Sequence, residues 1–185
     1  MKKSIIKNAV ALGAIALCST FSIAQTTTIV GGQEMYPAKN IVENAVNSKD
    51  HTTLVAAVQA AGLVETLQSK GPFTVFAPTN DAFENLPDGT VTELLKPENK
   101  SKLTSVLTYH VLSGKYDYNA LVKEIEKGNG KATIKTVSGG NLTFSKNGTR
   151  NLIVTDNNKN SANITVYDVY QSNGVILVID KVLLP

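Results

Sequence analysis

The chain has 185 residues, of which 42% are hydrophobic, 18 are Lys or Arg and 15 are Asp or Glu. Three of the lysines lie within residues 1–24, which leaves 15 basic against 15 acidic residues in the remainder. Every basic residue except Arg150 is lysine. The sequence therefore lacks the arginine clusters that read phosphates and base edges, and we predict no nucleic-acid partner.

Residues 1–24 have the layout of a secretory signal peptide. Lys2, Lys3 and Lys7 precede an apolar run that ends near Leu17, and small residues follow up to Ala24. This order predicts cleavage after Ala24. The run is shorter than the roughly 20 residues that cross a bilayer, so we predict no stable transmembrane anchor.

Removal of residues 1–24 would leave a mature chain without cysteine. Lipidation of Cys18 is an alternative to cleavage after Ala24, although Leu17 stands where a lipobox has a small residue. Cleavage removes Cys18, the only cysteine, so the mature domain has no disulfide and depends on its core. Residues 25–38 are polar and aperiodic and predict a flexible leader, and residues 39–185 predict one folded domain.

The first half of the domain is predicted to be mainly helical. Apolar residues recur at helical spacing in six segments: 40–48, 52–69, 79–86, 91–95, 98–109 and 118–127. Asp50 and Thr52 are predicted to cap the second segment and Thr79 the third. The short apolar run at 73–77 lies between two prolines and predicts a buried strand.

Beyond Gly130 the apolar pattern changes to a period of two. Five strands are predicted: 131–137, 141–146, 151–155, 163–169 and 175–183. Short turns between them favour antiparallel neighbours. The sequence therefore predicts an α+β fold, with helices mainly in the N-terminal half and strands in the C-terminal half, and excludes a doubly wound nucleotide-binding fold.

Three separated blocks carry a resemblance to a known family. They are Gly71–Phe83 (GPFTVFAPTNDAF), Tyr109-His110-Val111 with Gly114-Lys115, and Ser172–Asp180 (SNGVILVID) with Val182–Pro185. In order and spacing the chain resembles the fasciclin domain, above all the secreted single-domain bacterial members. The resemblance implies a fasciclin-like β-sandwich wedge with helices packed around it. Leu177 departs from the pattern, because many members have histidine there.

The resemblance also implies candidate binding residues. In animal members of the family, a Tyr-His pair and an Asp-Ile element ahead of the final strand are implicated in adhesion. The matching positions here are Tyr109, His110, Asp168 and Val169. The alternative is structural: the Tyr109 and His110 rings are buried at a helix end and satisfy backbone groups, and Asp168 bonds to backbone N–H groups of a turn. Val169 is smaller than the isoleucine of the animal element, and the sequence contains no Arg-Gly-Asp tripeptide. Integrin recognition itself is therefore not expected.

The sequence offers no set of catalytic residues. Only His51 and His110 are present as histidines, and no cysteine remains after cleavage. His51 is predicted to be a solvated neighbour of a helix cap. The stretch 156–160 (DNNKN) is predicted to be a hairpin loop, because it lacks the bidentate Glu of an EF-hand calcium site. We therefore predict no enzyme activity, no cofactor and no metal site.

These observations predict a secreted, non-catalytic adhesion or binding module. Its partner would be a cell-surface protein or a polysaccharide of the envelope or matrix. The alternative is a periplasmic protein that binds a small ligand or a carbohydrate. The two differ in structure, because a small-ligand protein needs an enclosed pocket with polar groups, whereas an adhesin needs an exposed contact patch.

Overall fold

The structure is a computed structural model that describes residues 26–185. The predicted signal peptide, its cleavage after Ala24, and Cys18 lie outside the described residues. Within residues 26–185, no helix has the length and hydropathy needed to cross a membrane.

Seven α-helices and nine strands form the described part of the chain. The helices are α1 (Ile41–Ala45), α2 (Thr52–Ala61), α3 (Val64–Gln68), α4 (Asn80–Glu84), α5 (Thr90–Leu94), α6 (Lys100–Tyr109) and α7 (Tyr118–Lys127). The strands are β1 (Thr28–Val30), β2 (Gln33–Met35), β3 (Phe73–Pro78), β4 (Val111–Ser113), β5 (Lys131–Lys135), β6 (Asn141–Asn147), β7 (Asn151–Thr155), β8 (Ser161–Gln171) and β9 (Gly174–Ile179). The predicted α+β class, with helices first and strands later, is confirmed.

One mixed sheet of seven strands, in the order β4-β3-β9-β8-β7-β6-β5, organises the fold. Strands β5 to β9 run antiparallel to one another, as predicted from their short turns. Strand β3 pairs in parallel with β9, although about 100 residues separate them in sequence. The long strand β8 pairs with β7 through its first residues and with β9 through the rest, and the β8–β9 pairing contains two register shifts. This change of partner gives the sheet its wedge shape.

The central strands β3 and β9 are buried on both faces. Val75, Ile176 and Val178 face a first core shared with the helices α1 to α6. Phe76 and Leu177 face a second core shared with α7 and strands β5 to β8. All six residues of β9 are buried. Such apolar runs are typical of strands covered on both sides.

Local side chains cap the N-termini of three of the seven described α-helices, α1, α4 and α7. Thr79 Oγ1 accepts the N–H of Ala82 at the start of α4, as predicted. Asn40 and Glu43 form a reciprocal capping box on α1, and Asp117 caps α7. The predicted capping of α2 by Asp50 and Thr52 is wrong, because Asn80 Oδ1 accepts the N–H of Thr53 at 3.0 Å. A tertiary contact with α4 supplies this cap instead.

The structure differs from the sequence expectation in the N-terminal segment. Residues 25–38 were predicted to be a flexible leader, but strands β1 and β2 form an antiparallel hairpin there. Val30 and Met35 are buried in the first core, which gives the segment apolar contacts that its polar composition does not reveal. A further difference is at 52–69, where Gly62 ends α2 in the left-handed region (φ 72) and α3 follows separately.

Candidate functional site

Tyr109 ends α6 and is enclosed in the second core. Its side chain has no exposed surface, and its hydroxyl donates to the carbonyl of Asn141 at 2.7 Å. The same hydroxyl accepts the N–H of Asn157 at 3.0 Å. Tyr109 therefore joins the helix end to the start of β6 and to the β7–β8 turn. Direct contact between this ring and a partner would require the ring to leave the core.

His110 follows Tyr109 and is also buried. Its Nδ1 lies 2.8 Å from the carbonyl of Val106, and its Nε2 accepts the N–H of Leu183 at 3.0 Å. A backbone N–H can only donate, so the network assigns the ring proton to Nδ1. The imidazole thus caps the free Val106 carbonyl at the helix end and fastens the C-terminal residues. Both side chains are buried and bond to backbone groups, as the structural interpretation from the sequence expected.

Burial makes His110 hard to protonate and couples it to stability. Desolvation lowers the pKa of His110 to about 4, while the Val106 carbonyl and the charge of Asp156 oppose this shift. An unfolded histidine titrates near about 6.5. Between these two values the unfolded chain binds a proton here and the folded chain does not, so stability falls as pH decreases.

We therefore predict a loss of folding free energy between about pH 6.5 and 4 that depends on His110. Burial lowers the pKa of His51 too, which acts in the same direction. The free energy of unfolding is measured with urea at pH 7, 5.5 and 4. It should decrease less between pH 7 and pH 4 in His110→Gln than in the wild type. Equal decreases in the two proteins would contradict this assignment.

Asp168 and Val169 are neighbours on β8 but have opposite environments. Val169 is buried in the first core. Asp168 is half-buried, and its backbone has a positive φ of 57 at the irregular part of the β8–β9 pairing. Its Oδ1 accepts the N–H of Tyr118 at 2.7 Å, 50 residues earlier in the chain. The carboxylate thus binds a backbone N–H as expected, but at the start of α7 rather than in its own turn.

Asp168 belongs to a group of tyrosines and charges that we name the tyrosine surface. It comprises Lys115, Asp117, Tyr118, Tyr167, Asp168 and Tyr170.

Ring contacts and polar contacts hold the tyrosine surface together. The rings of Tyr118 and Tyr167 meet edge to face, with centroids 5.2 Å apart. Lys115 Nζ lies 4.5 Å from the centroid of the Tyr170 ring, a cation–π geometry. The Tyr170 hydroxyl donates to Asp117 Oδ2 at 3.3 Å. The surface therefore presents aromatic rings beside two carboxylates and one amine.

The charges of this surface influence one another. Desolvation raises the pKa of Asp168, and the nearby carboxylate of Asp117 adds to that shift. The N–H of Tyr118 and the charge of Lys115 oppose it. Tyr170 is 38% exposed and is the most accessible large ring of the group.

The four residues predicted as a binding site do not form one surface. His110 and Val169 line a cavity in the first core, Tyr109 lies in the second core, and only Asp168 is near solvent. The tyrosines around Asp168 were missed. The closely spaced Tyr116, Tyr118, Tyr167 and Tyr170 were the available sequence signal, but only the fold brings the two segments together.

His51 was also interpreted wrongly from the sequence. It is 3% exposed rather than solvated, and its Nδ1 lies 2.8 Å from the Ser48 hydroxyl. Its burial follows from the short 3₁₀ turn Lys49–His51, which directs the ring into the first core. The stretch 156–160 closes the β7–β8 turn as predicted, with Asp156 Oδ1 accepting the N–H of Asn160 at 2.9 Å. Within residues 26–185, no three His, Cys, Asp or Glu side chains group closely enough to hold a metal ion.

Comparison with known proteins gives consistent matches. The fasciclin domain profile matches residues 49–185. Protein sll1483 of Synechocystis is 48% identical over 149 residues, covering 80% of this chain and 74% of the relative. Immunogenic protein MPB70 of Mycobacterium bovis is 34% identical over 175 residues, covering 91% and 80% respectively.

A solved structure shows the same fold. The fasciclin domain pair of the insect cell adhesion molecule Fasciclin I superposes with a TM-score of 0.62 at 21% identity. The match covers 81% of this chain and 52% of the insect chain.

Proposed function

Because this chain belongs to the fasciclin domain family, we propose that it is a secreted, non-catalytic adhesion module. It acts by surface contact with a protein or polysaccharide outside the cell. Export depends on the signal peptide proposed for residues 1–24. The observation that carries the proposal is the tyrosine surface, where Asp168, the one predicted binding residue near solvent, lies with the exposed Tyr170 ring and the half-buried rings of Tyr118 and Tyr167.

The chemistry of this surface suits binding rather than turnover. Tyrosine and other aromatic residues are enriched at protein interfaces, because a rigid ring supplies a large contact area and its hydroxyl a hydrogen bond. Asp168 Oδ1 is occupied by Tyr118, which leaves Oδ2 without a hydrogen bond to any other residue of 26–185. That oxygen can accept a hydrogen bond from a partner.

The backbone at Asp168 also supports a functional role. A non-glycine residue with positive φ is uncommon, and such residues occur preferentially at binding and active sites. Aspartate tolerates this conformation better than most residues. Here it directs the carboxylate toward α7 and the tyrosines, whereas Val169 turns inward. Tyr109, His110 and Val169 contribute by holding the framework on which the surface lies.

The proposal is tested by binding to intact cells and to extracted envelope polysaccharide of the source organism. We expect saturable binding by the folded protein and none after thermal unfolding. The double variant Asp168→Asn with Tyr170→Ala should weaken binding by about tenfold or more, as loss of an interface anchor does. Asparagine keeps an oxygen for the Tyr118 N–H and tolerates positive φ, so it removes only the charge.

The chain provides a matched control for this variant. Tyr36 is 40% exposed and has its own cation–π neighbour, with Lys39 Nζ 5.1 Å from the ring centroid. Tyr36→Ala should leave binding unchanged, because the Tyr36 side chain contacts Glu34 and Lys39 and makes no hydrogen bond or cation–π contact with the tyrosine surface. The proposal fails if the double variant binds like the wild type, or if Tyr36→Ala loses as much affinity.

A further inference from the structure

A cavity of about 120 Å³ lies in the first core, between the helices and the sheet. Its walls are largely apolar side chains from both layers, among them Val58, Leu63, Leu67, Val75, Val169 and Ile176. No Asp, Glu, Lys or Arg lines it. An unpaired charge is costly to bury, so this space suits a neutral molecule.

One hydrogen-bonding atom in the cavity wall lacks a partner. Both histidines line the cavity, but both ring nitrogens of His110 are bonded to the backbone. His51 uses Nδ1 with Ser48. The Ala77 backbone lies near the same ring, but the buried Nε2 makes no hydrogen bond of normal geometry within residues 26–185. Buried polar atoms are nearly always paired in native proteins, so this exception indicates a missing bonding partner.

The N-terminal hairpin closes the same cavity. Val30 and Met35 both line it, and the turn between β1 and β2 packs against Ser48 and Asp50. A Cβ at Gly31 would lie only 2.8 Å from the Asp50 backbone nitrogen, so the approach is close. The hairpin is not paired with the seven-stranded sheet. Entry of a molecule would therefore require this hairpin to move, but no strand pair of the seven-stranded sheet to break.

We propose that this cavity binds a small neutral molecule, about one aromatic ring in size, whose single hydroxyl group bonds to His51 Nε2. An engineered apolar cavity of about 150 Å³ accepts benzene, so the volume here is of the right order. A hydroxyl can donate or accept, so it satisfies either tautomer of His51. The site is separate from the tyrosine surface, and neither proposal depends on the other.

Phenol and benzene are the probes that test the site. Their dissociation constants are measured by titration calorimetry for the wild-type chain and for His51→Phe, which keeps a ring but removes both nitrogens. The affinity for phenol should fall about tenfold in the variant, the equivalent of one hydrogen bond. The affinity for benzene should change by no more than about twofold, which also shows that the variant is folded.

A second variant and a second measurement complete the test. Val58→Phe places a larger side chain in the cavity and should abolish saturable binding of both probes. In the wild type, phenol should shift the ¹⁵N resonance of His51 Nε2 more than that of His110 Nε2. Absence of saturable phenol binding, equal losses for phenol and benzene in His51→Phe, or no difference between the histidine resonances would overturn the proposal.

Discussion

Replacing His110 with alanine is expected to lower the free energy of unfolding by about 4 kcal/mol. The substitution leaves the Val106 carbonyl and the Leu183 N–H unpaired in the interior. It also removes a ring that is 3% exposed, and so creates a void beside the existing cavity. Each of these effects is destabilising, and together they detach the C-terminal residues from the end of α6.

Urea denaturation of the wild type, His110→Ala and His110→Gln measures this effect. Glutamine can still accept the N–H of Leu183, so its loss should be smaller, about 2 kcal/mol. Increased protease cleavage near Leu183 should accompany the alanine substitution. A His110→Ala protein within about 0.5 kcal/mol of the wild type would show that these two bonds contribute little.

Replacing Gly174 with alanine is expected to destabilise the protein by about 3 kcal/mol. A Cβ at this position would lie 2.2 Å from the carbonyl oxygen of Phe73, a backbone atom in the neighbouring strand. No flexible side chain can move aside, so β3 and β9 would have to separate where they pair. A backbone shift at Gly174 would also displace the adjacent Asn173, whose side chain accepts the N–H of Ile41 and donates to the Leu67 carbonyl. Weakening of these two hydrogen bonds would add to the loss of stability.

Gly148→Ala is the matched control for Gly174→Ala. Gly148 has a positive φ of 74 but open space around its Cβ position, so alanine there should cost only about 1 kcal/mol. Thermal and urea unfolding of the two variants should therefore differ clearly. Equal stabilities would mean that the close approach at Gly174 is relieved by small backbone shifts.

The residues that identify the family and the residues best placed for contact are largely different. Tyr109, His110 and the apolar residues of β3 and β9 belong to the recognisable blocks and lie in the two cores. Tyr118, Tyr167 and Tyr170 lie outside those blocks and supply all three rings of the tyrosine surface. Conservative changes at that surface can therefore alter binding while the fold is kept.

Local interactions were sufficient to predict many elements from the sequence. Thr79 caps α4, Gly128 follows α7, and the Asn-Gly and Asp-Asn turns separate β6 to β8 at the predicted places. These features depend on hydrogen bonds between residues a few positions apart and on side-chain periodicity, both of which are visible in the order of residues. The fasciclin blocks then related these elements to a known fold.

Contacts between segments that are distant in sequence decided the features that the sequence did not predict. The parallel pairing of β3 with β9, the burial of His51 and the packing of the 28–35 hairpin all depend on partners remote in sequence. Asp168 and Tyr118 meet across 50 residues, so neither segment alone reveals the surface they form. The order of residues thus determined the local elements and the family. Only tertiary packing decided which polar groups face solvent, which are enclosed, and where a cavity remains, because burial is a property of the whole fold.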